Sequence, residues 1–309
     1  DLQQTKPDLP HYDDIYEQIV EILDNTLICV IPLNSKSFIC RDSNNPDALD
    51  LSKGFNIVVG GNTLGRGITF PHLQTVYYCR SSKMPQADTF WQHSRIFGYD
   101  REKELVRIYI PRTLHSLFVS LNEANEILIK QIENGIENIQ VIYPNGIKPT
   151  RKNVLDNQYL NMIVGGANMF ANNPISQYTK DIDSIVEQYI NTEYSDVSAE
   201  ILIKILKLTG SSVHSDFDSN KYIACIKALQ EKRPTIKYRL IVRTNRDISK
   251  GTGTLLSPTD RRLGDSFKND ITLTIYRVNG STDKGWDGSP LWIPNIKFPD
   301  GICFYNIDE

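Results

Sequence analysis

Several things are missing from this sequence, and each absence excludes something. There is no charged-then-apolar leader, and the longest apolar run, Leu27 to Leu33, is far too short to span a bilayer. The five cysteines, Cys29, Cys40, Cys79, Cys225 and Cys303, are odd in number and form no CxxC pair. That argues against a disulfide framework or zinc ribbon and predicts a reducing, cytoplasmic setting. Excess charge of one sign is also lacking: 34 Lys and Arg face 37 Asp and Glu, a formal charge of −3. The chain as a whole is therefore neither a polycation nor an acidic tail. No GxxxxGK[ST] run exists, and Gly251-Thr252-Gly253-Thr254 lacks the lysine. No apolar run ends in Asp-Glu. Finally, the sequence opens on Asp1-Leu2-Gln3-Gln4 rather than Met.

What is present is a soluble, globular composition of 309 residues, 40% hydrophobic and 23% charged. The first part alternates strand-like and helix-like stretches. Leu27–Leu33, Asn56–Val59, Gln74–Arg80, Leu105–Ile110 and Ile139–Tyr143 read as strands. Gln86–Phe97 and Leu114–Ile132 carry apolar residues at helical spacing. This alternation predicts an α/β fold with a parallel sheet and flanking helices over residues 1–150. Residues 151–232 read as a helical segment, with helices over Asp181–Ile190, Ala199–Leu208 and Asn220–Gln230, the last capped by Asp218 or Ser219. Residues 233–309 read as a small β-rich accessory domain. Lys237–Arg243 and Ile271–Val278 alternate as strands do, whereas Leu291–Phe298 carries Pro294 and is expected at an edge. This tail holds 12 Lys and Arg against 9 Asp and Glu. Its basic and aromatic residues Lys237, Arg239, Arg243, Arg246, Arg261, Arg262, Trp286 and Trp292 are suited to nucleic acid. An ordinary β-domain with solvated charges is an equal alternative.

The chemistry concentrates in residues 56–101. Gly60, Gly61, Gly65 and Gly67 follow a strand, where glycine permits tight turns and close approach to a ligand. Gln92 and Arg95, three apart, share a helix face, and Arg101 follows. Arginine suits phosphate because its charge is fixed and its fork donates two parallel hydrogen bonds. An ion pair with a neighbouring carboxylate is the plain alternative for Arg95.

These two segments resemble motifs V and VI of superfamily 2 helicases, and most closely the Z1-domain family of helicase-like endonucleases in bacterial restriction and defence systems. The resemblance is carried by Gly60-Gly61, Leu64, Arg66-Gly67 and Thr69, then by Gln92, Arg95, Phe97-Gly98-Tyr99 and Arg107-Ile108-Tyr109. It implies that residues 1–150 form the second, RecA-like helicase lobe. Arg95 would reach ATP, with Gln92 and Arg101 beside it. Gly65, Arg66 and Gly67 would lie at the nucleotide, and Thr63, Arg66 and Thr69 would contact the DNA backbone. Asp100 stands where the family has its second arginine, which makes Arg95 the principal candidate. ATP and Mg²⁺ are implied as cofactors of a longer protein whose first RecA-like lobe carries the P-loop. DNA and further restriction subunits are implied as partners, with no role for a membrane.

No metal site is expected within the chain itself. The tail aspartates Asp260, Asp265, Asp270, Asp283, Asp287 and Asp300, with Lys268 and Lys297, are the raw material for a nuclease. However, Asn295 stands where Asn295-x-Lys297 would need an acid, and loop aspartates are ordinarily turn formers.

Overall fold

A computed structural model describes residues 10–33, 55–61, 64, 70, 73–80, 85–94, 96, 104–150, 160–171, 178–209, 217–247, 256–279 and 290–307. The chain divides into two compact units, one of residues 1–118 and 148–150, the other of residues 119–147 and 151–309. No helix among the described residues is long and apolar enough to cross a membrane.

In the first unit, α1 (Tyr12–Asp24) precedes β1 (Ile28–Leu33), which pairs in parallel with β2 (Phe55–Gly60). Leu33 and Phe70 are buried together, with Val58, Leu64 and Leu73 packed against them. A second parallel pair joins β3 (Thr75–Tyr77) to β4 (Arg107–Tyr109), and α2 (Ala87–Ser94) lies between them in sequence. Strand–helix–strand with parallel pairing is the arrangement the alternation predicted. Among the described residues, though, the parallel strands form two separate pairs rather than one continuous sheet. The long helix α3 (Arg112–Glu133) follows β4; Leu114, Leu121, Ala124 and Ile127 are its buried apolar positions, at helical spacing.

The strand expected at Ile139–Tyr143 forms as β5 (Val141–Pro144), but not beside the earlier strands. It pairs antiparallel with the carboxy-terminal strand β12 (Ile302–Ile307), which in turn pairs with β6 (Leu160–Val164). A period-two pattern fixes which side of a strand is apolar, not which neighbour it takes.

The second unit is built on a five-stranded sheet in the order β7 (Asn168–Phe170), β11 (Leu291–Lys297), β10 (Ile271–Asn279), β9 (Tyr238–Asp247), β8 (Ser195–Val197). Only β9 and β10 are parallel, and α7 (Pro258–Ser266) lies between them in sequence. α4 (Thr179–Val186), α5 (Ala199–Thr209) and α6 (Ser219–Lys232) complete the unit. One apolar core holds Val186, Leu202, Ile205, Leu206, Ile226 and Leu229 from the helices together with Leu240, Leu273, Ile275 and Ile296 from the strands. Residues from 151–232 and 233–309 therefore share a core: the amphipathic helices have no apolar partner of their own and bury their stripes on the sheet. Each such side chain contributes about 1.5–3 kcal/mol. Asp218 caps α6, accepting from the Asn220 amide at 3.0 Å and the Lys221 amide at 3.3 Å.

β11 is fully buried and has neighbours on both sides, β10 and β7. The expected edge position is therefore corrected. Proline is tolerated because β7 pairs only with Asn295–Lys297, so Pro294 lies one residue beyond the end of that ladder.

The two faces of the large sheet differ in chemistry. On one face, Arg277 and Trp292 reach Asp183 of α4 at 3.0 and 2.7 Å. On the other, Asp260 of α7 accepts from Arg243 at 2.9 Å and from the Tyr276 hydroxyl at 3.2 Å. Lys297 bonds Asp265 of the same helix at 2.6 Å. Helix α7 has few apolar residues to bury, and the sheet face beneath it carries Thr272, Thr274, Asn295 and Lys297, all buried.

Candidate functional site

Residues of the first unit hold helix α2, which carries Gln92 from among the residues the sequence singled out. After β3 the chain runs through Tyr78 and Arg80 alongside α2. His93, only 2% exposed, joins them: its Nδ1 lies 3.1 Å from the Tyr78 hydroxyl and its Nε2 lies 2.6 Å from Arg80 Nη1. A guanidinium can only donate, so Nε2 must accept; this selects the neutral imidazole with its proton on Nδ1, facing Tyr78. The Tyr78 ring meets His93 edge-on, and Phe118 meets Tyr78 and Phe90 in the same way. Burial raises the Tyr78 hydroxyl above its ordinary value, with Arg80 pulling the other way.

The start of α2 is also tied down. Asp88 accepts from the Thr89 amide at 2.6 Å and from the Thr150 hydroxyl at 2.9 Å. The Ala87 and Asp88 amides donate to the carbonyls of Lys148 and Pro149. Both ends of this short helix are thus held by polar contacts, a role well suited to aiming a side chain.

Ala87, Phe90 and His93 face inward, whereas Gln92, about 200° round the helix from Phe90, is exposed. Trp91 is 37% exposed, and His93 takes an inward place. Helix α2 ends at Ser94. Arg95 and Arg101, like Thr63, Gly65, Arg66, Gly67 and Thr69, lie outside the described residues. Of the glycine-rich turn, Gly60 is described: a Cβ there would stand 2.4 Å from the Leu33 carbonyl, so the close approach of β2 to β1 requires glycine. The holdfast of Tyr78, Arg80 and Asp88 was not read from the sequence, where no spacing links residue 80 to 93.

In the second unit the acidic and basic candidates are largely used up by one another. Arg239 pairs with Asp196 and Asp270 and stacks against Tyr194 and Phe267. Arg243 is held by Asp260, Lys297 by Asp265, and Trp292 is 2% exposed. The expectation that Arg239, Arg243 and Trp292 belong to an exposed DNA surface is corrected: they are structural, because strand alternation turned them toward facing helices and loops. Lys237, Arg261 and Arg262 are exposed. The side chain of Arg246, and Trp286, Asp283 and Asp287, lie outside what is described. Among the described residues no group of three His, Cys, Asp or Glu could hold a metal.

Two stretches of the chain match known families. Residues 2–153 match the Z1 domain. Residues 163–300 match the family "Restriction endonuclease CglI H-subunit, C-terminal domain". A solved structure, the C-terminal domain of the CglI restriction endonuclease H subunit, is 31% identical, with 44% of this chain and 99% of that one covered and a TM-score of 0.39. No curated protein matches the chain. On sequence, residues 163–300 belong to the family named for the C-terminal domain of the H subunit in the CglI restriction endonuclease, behind a stretch that matches the Z1 domain, and the chain is a restriction-system protein.

Proposed function

We propose that this chain is the carboxy-terminal part of an ATP-dependent, DNA-acting subunit of a restriction system, with residues 1–150 serving as its second, RecA-like helicase lobe. One observation supports this most: α2, which carries Gln92 and leads directly to Arg95, follows β3 and precedes the parallel strand β4 within a segment that matches the Z1 domain. The residues present fit the arginine side of a nucleotide site. They do not fit the P-loop side, for which the sequence has no lysine motif.

On this reading Arg95 neutralises charge on the terminal phosphate, and Gln92 and Arg101 stand beside it. The turn holding Gly65, Arg66 and Gly67 lines the nucleotide, and Thr63, Arg66 and Thr69 hold the DNA backbone without reading sequence. ATP with Mg²⁺ supplies the driving chemistry when a first RecA-like lobe brings the P-loop. The chain alone neither hydrolyses ATP nor unwinds DNA, and the setting is cytoplasmic.

The experiment is Arg95→Ala in the full-length protein. DNA-stimulated ATPase should fall by about 10³-fold, as for other arginines that reach the γ-phosphate, while DNA binding is retained. An unchanged ATPase overturns the motor reading. It would favour a second one, a non-catalytic nucleic-acid-binding or assembly module, for which the likeness to one subunit of a restriction endonuclease is the supporting observation. Both readings include partner subunits of a restriction complex.

A further inference from the structure

A cavity of 440 Å³ opens in the second unit where α6 ends and the parallel strands β9 and β10 begin. It is lined by Lys232, Arg233, Thr235, Lys237, Asn269 and Asp270, among others. Lys232 and Arg233 are half-buried and Lys237 is exposed. None of these three cations has a carboxylate within ion-pair distance among the described residues. The one acid in the lining, Asp270, bonds Arg239 at 2.9 Å, an arginine it shares with Asp196.

The charge balance decides what such a cavity takes. The carboxy-terminal end of a helix carries about half a negative charge, which accounts for one cation beside α6 and not for three. At Lys232, burial lowers the pKa most, Glu123 raises it, and Arg233, with a smaller effect, lowers it again. Lys232 and Arg233 repel one another, Lys237 lines the same cavity, and an anion there would relieve what Glu123 leaves. Beside the cations, Asn269 adds a side-chain donor, and the Thr235 hydroxyl can donate as well. A tetrahedral dianion or a diester monoanion satisfies all of these groups; an apolar ligand satisfies none.

We propose that the cavity formed by Lys232, Arg233, Lys237 and Asn269 binds a phosphate group, and that the phosphate is one of the backbone of duplex DNA. The phosphate chemistry stands on the cavity alone. The choice of DNA as its source rests on the reading that the protein acts on DNA. Neither strand β9 nor its bonded arginines take part, so the contact anchors the backbone without reading bases.

The test uses the full chain and a fluorescent duplex of mixed sequence, about 25 base pairs long, titrated over a range of salt concentrations. Lys232→Gln/Arg233→Gln/Lys237→Gln is compared with the parent and with Lys237→Gln alone, whose exposed site does not affect folding. The triple variant should bind about tenfold more weakly, equally on unrelated sequences. Its dependence of log affinity on log salt should be shallower by about one to three units, and the single variant should show a smaller change in the same direction. Equal affinity and equal slope overturn the proposal while leaving the DNA reading intact. Failure of the parent to bind duplex at all defeats the DNA source and that reading together. Inorganic phosphate and ATP are added as competitors at matched phosphate concentration. If either perturbs the Thr235 and Asn269 amide resonances while duplex does not, the cavity serves a small anion and the DNA assignment falls.

Discussion

Arg80 and His93 are 13 residues apart in sequence and 2.6 Å apart in space, guanidinium nitrogen to imidazole Nε2. This contact, with Tyr78 on the other ring nitrogen, is what fixes the orientation of α2 and so the outward aim of Gln92. A buried imidazole with both nitrogens bonded is costly to replace. His93→Ala removes both bonds and leaves a void, so the first unit should lose about 2–4 kcal/mol. His93→Gln, which keeps an acceptor, should recover part of that. Thermal melting read by near-ultraviolet circular dichroism checks both; identical melting of the two variants contradicts this account.

Asp260 bridges α7 to the sheet. Its carboxylate is 5% exposed and accepts from Arg243 and Tyr276, and its own amide donates to the Ser257 hydroxyl that caps the helix. Asp260→Ala leaves Arg243 uncompensated and should cost the second unit about 2–4 kcal/mol, the lower end reflecting the partial exposure of Arg243. Ser257→Ala, which removes only the cap, should cost about 1 kcal/mol. Urea unfolding measures the difference, and equal midpoints for the two variants argue against a buried pair.

Gly165 closes the turn between β6 and β7. A Cβ there would lie 2.0 Å from the Pro299 carbonyl and 2.9 Å from the Ile302 carbonyl, both backbone atoms that cannot step aside cheaply. Its amide meanwhile donates to Ile302 at 2.8 Å. Gly165→Ala should therefore destabilise by more than the about 1 kcal/mol range of ordinary glycine effects, and lower soluble yield. Gly146→Ala is the comparison. That glycine has open space but a φ of +91°, so only backbone strain is incurred. If Gly146→Ala proves the worse of the two, the close approach at Gly165 is not limiting.

Alkaline pH should unfold the second unit. Burial raises the thiols of Cys225 and Cys303 above 9.0 and the hydroxyl of Tyr143 above 10.0. Burial first, then the neighbouring Cys303, pushes Tyr305 up to about 12. These groups keep their protons in the folded state when the unfolded chain has released them. Their contribution is complete below the unfolded values and is lost as pH rises past 9.0 for the thiols and 10.0 for the phenols. Lys232 opposes this, because its lowered value means that raising the pH relieves a strained charge. It is one group against these four and Tyr238, which burial also raises. Stability should fall above about pH 9, the buried Cys225 alone giving a slope of about 1.4 kcal/mol per pH unit. Urea midpoints taken between about pH 8 and 10.5 test it, a flat or rising trend being the contrary result.

Much of this protein was legible in one dimension. The periodicity of α3, α5 and α6, the Asp218 cap, the alternation in β9 and β10 and the strand–helix–strand order around α2 are local, and local propensity and patterning determine them. Short elements with weak patterns, β7 and β8 among them, were not legible, since they lack the β-branched and aromatic run that marks the equally short β3 and β4.

Tertiary structure decided the partnerships. It placed β5 beside β12 and β11 between two neighbours. It turned Arg239, Arg243 and Trp292 from surface candidates into bonded parts of the core's rim, and gathered Lys232, Arg233 and Lys237 around one cavity with no ion pair of their own among the described residues. Each of these depends on residues distant in sequence. A side chain's chemistry is written in the chain, but whether its charge is satisfied depends on what the fold brings within about 4 Å of it.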